Sequence, residues 1–417
     1  MEKLNKLSNS LMPALVFCSI IIAVNGIIDV FISYTDFGFK NYLTAFSSAN
    51  ARILNYLFCY FAVSAFTVAK PRYYPFFSLL CLYFSYAVTG AYTSVSTDFM
   101  NALAVSAISV LCFIKLDRNI GMIIAFLTSL IAGLLLAPLN EGLLNLSMII
   151  ADFTGRKGII TSVLFPPFDT LFSLFNSSMF RDLLYEKSYG GAMLINESIV
   201  CGVKELYKYG YRGAETAGVM GGKYLFLFAS AGVSFNLFGE VKEGHKTALI
   251  FSFLSFALSG NPFVFLLYLL MQSPHMLVLL LPLSSLCYAA AYSLKIKSGF
   301  LNDASLIELF LNIDKPLYLL TSGAVLFSAG YFIMKYILLR FGISDIYNVY
   351  IPSRLNGIVD SLGGVGNIIR SKNNFIEVRN PALVNELYLD CDINENIIKS
   401  DNEMFIELTE YIKKGTL

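Results

Sequence analysis

Long apolar runs settle the environment of this chain before any motif is considered. They fall near residues 12–33, 53–69, 73–96, 101–115, 119–137, 141–152, 159–180, 224–239, 247–271, 276–294 and 316–340. A straight helical span needs about 20 apolar residues, so some of these runs are short for a crossing. The pattern predicts an α-helical polytopic membrane protein of about ten helices, with one or two segments re-entrant. Composition agrees. Of 417 residues, 56% are hydrophobic and only 14% are charged, whereas ordinary soluble domains carry about 25% charged residues.

One run is interrupted in an informative way. Ala257 to Phe265 reads "ALSGNPFVF", a glycine, an amide and a proline inside otherwise lipid-grade sequence. Pro262 lacks a backbone donor and Gly260-Asn261 loosens the helix, which frees carbonyls at membrane depth. Such a break survives only where protein or a water-filled cavity covers it, the usual setting of a transporter's binding site. Taken alone, Asn261-Pro262 reads more readily as a kink packed between neighbouring helices, and the solvated pocket is the rival reading.

Other function classes find little support. The net charge of +1 offers no basic face for nucleic acid. Seven cysteines stand singly with no C-x-x-C pair, and six of them lie in apolar or membrane-proximal sequence, Cys391 being the exception. Burial as small hydrophobes is the expectation. Two histidines, His245 and His275, are too far apart for a helical ligand pair, so no metal or cofactor is expected. His245, in a lysine-flanked loop, reads as a solvated surface residue.

Cationic loops orient the spans. Lys3 and Lys6, Lys70 and Arg72, Lys115 and Arg118, and Arg156 and Lys157 mark alternate loops, while "SVSTD" and "PLNEG" carry none. Both termini are therefore expected in the cytoplasm, Lys335 and Arg340 fixing the second. Tyrosine supplies the interfacial belt, since tryptophan is absent. The start lacks a signal-peptide cleavage site. Leu4, Leu7 and Leu11 instead predict a short interfacial helix ahead of the first span.

From about Ile351 the composition turns soluble. Leu355, Ile358, Val359 and Leu362 form one helical face ended by Gly363-Gly364, and "NNFIEVR" reads as a strand. Ser400 and Glu403 make a capping-box pattern before a helix whose apolar positions are Met404, Leu408, Tyr411 and Ile412. With seven Lys/Arg against ten Asp/Glu, residues 351–417 read as a small acidic α/β module of limited core.

The order of parts resembles enzyme IIC of the glucose-type bacterial phosphotransferase system, followed by a remnant of its IIB domain. Five stretches carry the likeness: "SLMPALVF", "AETAGVMGGKYLFLFASAG", "EVKEGHKTALIFSFLSFALSGNPFVF", "SAGYFIMKYILLRFGI" and "IVDSLGGVGNIIRSKNNFIEVR". The resemblance implies a transmembrane domain over 1–343 and a degenerate IIB-like cytoplasmic module over 351–417. It also implies a homodimer formed through the N-terminal half, seated among the lipids of a bacterial inner membrane. The implied ligand is a sugar or sugar-like small molecule.

Departures from the family matter more than matches. Where the family has a sugar-binding carboxylate before the buried proline, this chain has Asn261, which hydrogen-bonds but is no base near neutral pH. Val264 takes the second acidic position. The family's His-His pair falls on "LFNSSMF", offering Asn176, Ser177 and Ser178; the serines also read as small residues easing helix packing. Glu215 and Thr216 either line the same cavity or cap a helix start. In the tail, Asn374 stands where the phosphate-carrying cysteine belongs, with Glu377 in place of an arginine. A carboxylate beside an incoming phosphate is unfavourable. The expectation is a sugar carrier that does not phosphorylate. The alternatives are a non-transporting sensor that engages a cytoplasmic partner through 351–417, and an active permease served by a separate IIB protein.

Overall fold

The computed structural model of the chain describes residues 2–34, 40–67, 73–92, 98–154, 158–187, 191–195, 198–211, 213, 216–241, 243–341, 355–363, 367–372, 375–378, 380–385, 391–394, 396–400 and 403–411. The chain forms two compact units, one of residues 7–238 and 243–333, the other of residues 1–6, 239–242 and 334–417.

Helices dominate. They are α1 (Glu2–Tyr34), α2 (Lys40–Phe66), α3 (Tyr74–Tyr92), α4 (Asp98–Lys115), α5 (Arg118–Thr154), α6 (Ile159–Ser173) and α7 (Met179–Tyr185). A small hairpin, β1 (Ala192–Ile195) with β2 (Ser198–Cys201), precedes α8 (Val203–Lys208). A π-helical turn at Thr216–Gly221 leads into α9 (Gly222–Glu240), followed by α10 (Glu243–Ser259), α11 (Phe263–Gln272), α12 (Pro274–Ser293), α13 (Leu306–Leu311) and α14 (Pro316–Phe341). Among the described residues, five helices are long and apolar enough to cross a membrane: Leu11–Tyr34, Tyr74–Tyr92, Arg118–Thr154, Pro274–Ser293 and Pro316–Leu338. Four shorter apolar helices accompany them.

The side-chain distribution is that of a protein in lipid. Helix α5 buries small or polar residues at Gly121, Ala125, Ser129, Gly133, Ala137, Asn140, Ser147 and Ala151. It exposes Ile123, Leu127, Ile131, Leu135, Ile149 and Phe153. Small residues inward let backbones approach, and large apolar residues outward match hydrocarbon. Its neighbour α3 buries Ser78, Ser85 and Thr89 in the same manner. The hydroxyl of Thr89 lies 3.1 Å from both Asn101 Oδ1 and the Gly133 carbonyl, so a polar knot ties α3, α4 and α5. Close approach also shapes α9 and α14, where a Cβ at Gly232 would strike the Phe327 carbonyl.

Several expectations change. The runs at 119–137 and 141–152 are one 37-residue helix, α5, with Pro138 inside it. At about 55 Å it is far longer than a ~30 Å hydrocarbon core. The interfacial N-terminal helix and the first span are likewise one continuous α1. The run at 159–180 divides at 174–178, and the run at 247–271 divides at 260–262. His245 is buried and 3.2 Å from Gln272, so it is no solvated loop residue.

In the second unit, α15 (Asn356–Ser361) and α16 (Glu403–Tyr411) accompany an antiparallel sheet ordered β3 (Ile368–Lys372), β4 (Phe375–Val378), β6 (Ile397–Ser400), β5 (Cys391–Asn394). Leu355, Ile358, Val359 and Leu362 do share a buried face, packed with Ile376, Val378, Ile398, Phe405 and Leu408. Phe405 takes the inward position on α16 and Met404 is exposed, a one-residue rotation from the expected face. Buried Asn367 fixes the turn between helix and sheet. Its Nδ2 donates to the Leu362 and Asn380 carbonyls at 2.7 and 2.9 Å, and its Oδ1 accepts from the Asn380 amide at 2.8 Å.

Candidate functional site

Two helix breaks meet. The first follows α6, which carries Pro166 and Pro167 and ends at Ser173. Asn176 in the break has φ +51°, a left-handed conformation that asparagine tolerates better than most residues. The second lies between α10 and α11, at Gly260-Asn261-Pro262. Gly260 has φ +74°, and a Cβ there would stand 2.7 Å from the Ala304 nitrogen, so only glycine fits.

Asn261 satisfies the backbone that its own break exposes. Its Oδ1 accepts from the Phe263 amide at 3.0 Å, capping α11, and its backbone amide donates to the Ser259 hydroxyl at 3.0 Å. Its Nδ2 donates to Asn176 Oδ1 at 3.0 Å and so joins the two breaks.

Both asparagines line a polar cavity of about 360 Å³. Helix α1 contributes Asn25 and Asp29, and α2 contributes Ser47. Ser178, Arg181, Asp182 and Tyr185 come from the start of α7 and its body, with Glu186 and Lys204 beyond. The loop after α12 supplies Asn302 and Asp303. Ser47 donates to Asp29 Oδ1 at 2.8 Å and Ser178 donates to Asp182 Oδ2 at 2.6 Å.

Behind the cavity runs a buried charge network. Asp303 Oδ2 accepts from Arg181 Nη1 at 2.8 Å, its Oδ1 accepts from Lys223 Nζ, and the Ala304 amide donates to Oδ1 at 2.8 Å. Arg181 Nε also stands 4.0 Å from Asp169 Oδ1. Burial opposes the charge of Asp303, but Lys223 and Arg181 outweigh it and hold this carboxyl below the usual carboxylate range. The loop bearing Asp303 is itself held by Glu308 on α13. That carboxylate accepts from the Leu301 and Asn302 amides at 3.1 and 2.9 Å and from the Tyr34 hydroxyl at 2.6 Å. Ser305 caps α13 by accepting from the Glu308 amide at 3.1 Å.

The expected site residues divide. Asn261, Asn176 and Ser178 come together in the polar cavity. Ser177 instead lines a separate apolar cavity of about 340 Å³ with Leu143, Leu146, Phe168, Phe172 and others. Thr216 opens the π-helical turn, while Glu215 and Asn374 lie outside the described residues. Arg181, Asp303 and Lys223 escaped the sequence reading. Lys223 carried a usable signal: a lysine at the head of the apolar helix "GGKYLFLF" is costly unless paired, and it is only 1% exposed.

The cavity's chemistry is that of recognition. Amides donate to hydroxyls and accept from them, carboxylates accept from them, and the Asn261 amide has no capacity as a base. No protein-family model and no curated protein matches the chain.

Proposed function

We propose that this protein binds a sugar-like solute in the polar cavity and carries it across the bilayer without phosphorylating it. The observation that supports this most directly is the Asn261–Asn176 hydrogen bond, which joins two interrupted helices at the wall of a polar cavity. Interrupted helices around a polar site are how transporters expose backbone and side-chain donors within a membrane. The resemblance to glucose-type enzyme IIC points the same way, and with it comes a dimer in a bacterial inner membrane; the cationic loops favour cytoplasmic termini. The amide at position 261 removes the carboxylate on which that family's phosphorylation rests. Uptake of labelled sugars into proteoliposomes containing the purified protein, with no phosphoryl donor present, is the test. Uptake of unmodified sugar supports the reading; no uptake of any sugar with intact protein refutes it.

A second reading draws on a different observation. The C-terminal unit has a formed core of nine buried residues, from Leu355 to Leu408. A carrier that transfers no phosphate has no evident use for a donor-like module, so we propose as the alternative that this unit docks a cytoplasmic protein and the membrane part senses its solute. Solute binding without uptake, together with partner capture by residues 351–417, favours this alternative.

A further inference from the structure

We infer that the solute of the polar cavity carries a protonated amine, as an amino sugar or amino polyol does. This rests on the solute-binding reading above and adds the charge of the ligand to it.

The charges around the cavity do not balance. Asp29, Asp182, Glu186 and Asp303 line it, against Arg181 and Lys204. Lys223 and Asp169 join through the network behind it, so five carboxylates meet three cations. The pairing leaves two carboxylates over. Asp303 holds both Arg181 and Lys223, and Glu186 stands 3.6 Å from Lys204. Among the described residues, Asp29 and Asp182 form no ion pair; each accepts one serine hydroxyl, from Ser47 and Ser178 respectively. Burial pushes the Asp182 carboxyl above its ordinary range even with Arg181 and Lys204 nearby.

Carboxylates held in a cavity without a cationic partner are costly until something positive answers them. A neutral sugar offers hydroxyls but no charge, and a sugar acid or phosphate adds to the excess. An ammonium group can donate to either carboxylate, since each retains acceptor capacity beyond its serine bond. The amides of Asn261, Asn176 and Asn302 remain for the hydroxyls. The carboxylates therefore read charge and the amides read hydroxyl geometry.

Calorimetry on the full-length protein in lipid nanodiscs, at about pH 6.5 where an amine is protonated, compares glucosamine, N-acetylglucosamine and glucose. Glucosamine is expected to bind at least tenfold more tightly than its N-acetyl form, whose nitrogen is neutral. Asp29→Asn and Asp182→Asn keep the serine bonds but remove charge, and each is expected to cut that preference roughly tenfold or more. Asp182→Glu is expected to retain it, and unchanged melting profiles show that the variants are folded. Equal binding of glucose and glucosamine overturns the inference while the solute reading stands. Sodium-dependent binding without amine preference also overturns it, since the missing charge is then an ion. Binding of none of the three overturns the inference and the solute reading together.

Discussion

Asn261 donates its amide Nδ2 to Asn176 Oδ1 at 3.0 Å, although 85 positions separate the two residues. The same side chain caps α11 through Oδ1. One short polar residue thus closes a helix terminus and bridges two broken helices. Replacing Asn261 with Leu leaves the Phe263 amide and Asn176 without these partners. A lost cap of this kind costs about 0.5–2 kcal/mol of stability. Solute hydroxyls lose a partner as well, so affinity is expected to fall roughly ten- to a hundredfold. Thermal unfolding and solute binding of Asn261→Leu check both; unchanged binding places the solute elsewhere.

Asp303 is the hinge of the charge network, and its removal is predicted to cost more than any neutral contact. Asp303→Asn leaves Arg181 and Lys223 buried without their carboxylate, a situation typically worth about 3–5 kcal/mol. The companion exchange Lys223→Met in the same chain is expected to recover part of that loss, because it removes one stranded charge. Acid titration gives an independent sign. A carboxyl held below its unfolded value contributes stability above about pH 4, and that stability is lost as pH falls through the lower, folded pKa. The acid-side loss is expected to shrink in Asp303→Asn. Melting temperature against pH for the three proteins measures it, and identical acid limbs in wild type and Asp303→Asn contradict the assignment.

What the sequence made legible depended on whether the cause was local. The break at Gly260-Asn261-Pro262 was readable because each residue acts on its own backbone. Asn176 and Asn261 stand out in two distant stretches, but nothing along the chain fixes which of Asn176 and Ser177 faces the polar side. The structure turns Ser177 to the apolar cavity instead. The Lys223–Asp303 pair was missed because it spans 80 positions, and pairing across such a distance leaves no pattern in a single sequence. Pro138 misled in the opposite direction: "PLNEG" reads as a loop, yet α5 continues through it. Membrane helices tolerate proline where neighbours satisfy the freed carbonyls, and α3 packs close enough to place the Thr89 hydroxyl 3.1 Å from the Gly133 carbonyl.

Phosphate chemistry is predicted to be absent from the tail. Glu377 lies within β4, and on the resemblance to the IIB domain Asn374 falls where a reactive cysteine is expected. A carboxylate opposes phosphate binding where cationic donors are needed. Incubation of purified protein with a phosphorylated carrier and a glucose-type IIA protein is expected to transfer no label to residues 351–417. A stable phosphoryl adduct on Cys391 or any other tail residue would contradict this.

Transport and sensing part company over the same tail. Carriage of a solute through the polar cavity requires only the groups that line it, and all of these precede Pro316. The tail's fold is specific: the buried Asn367 makes three hydrogen bonds, to Leu362 and twice to Asn380. Truncation after Ser344 leaves α14 complete to Phe341 and removes the sheet. If the protein is a carrier, the truncated chain is expected to move solute in proteoliposomes at a comparable rate per inserted molecule. If it is a sensor, neither chain moves solute, and the truncated one alone loses its cytoplasmic partner. Uptake by the full-length protein that disappears on truncation contradicts both, and makes the tail part of the transport cycle.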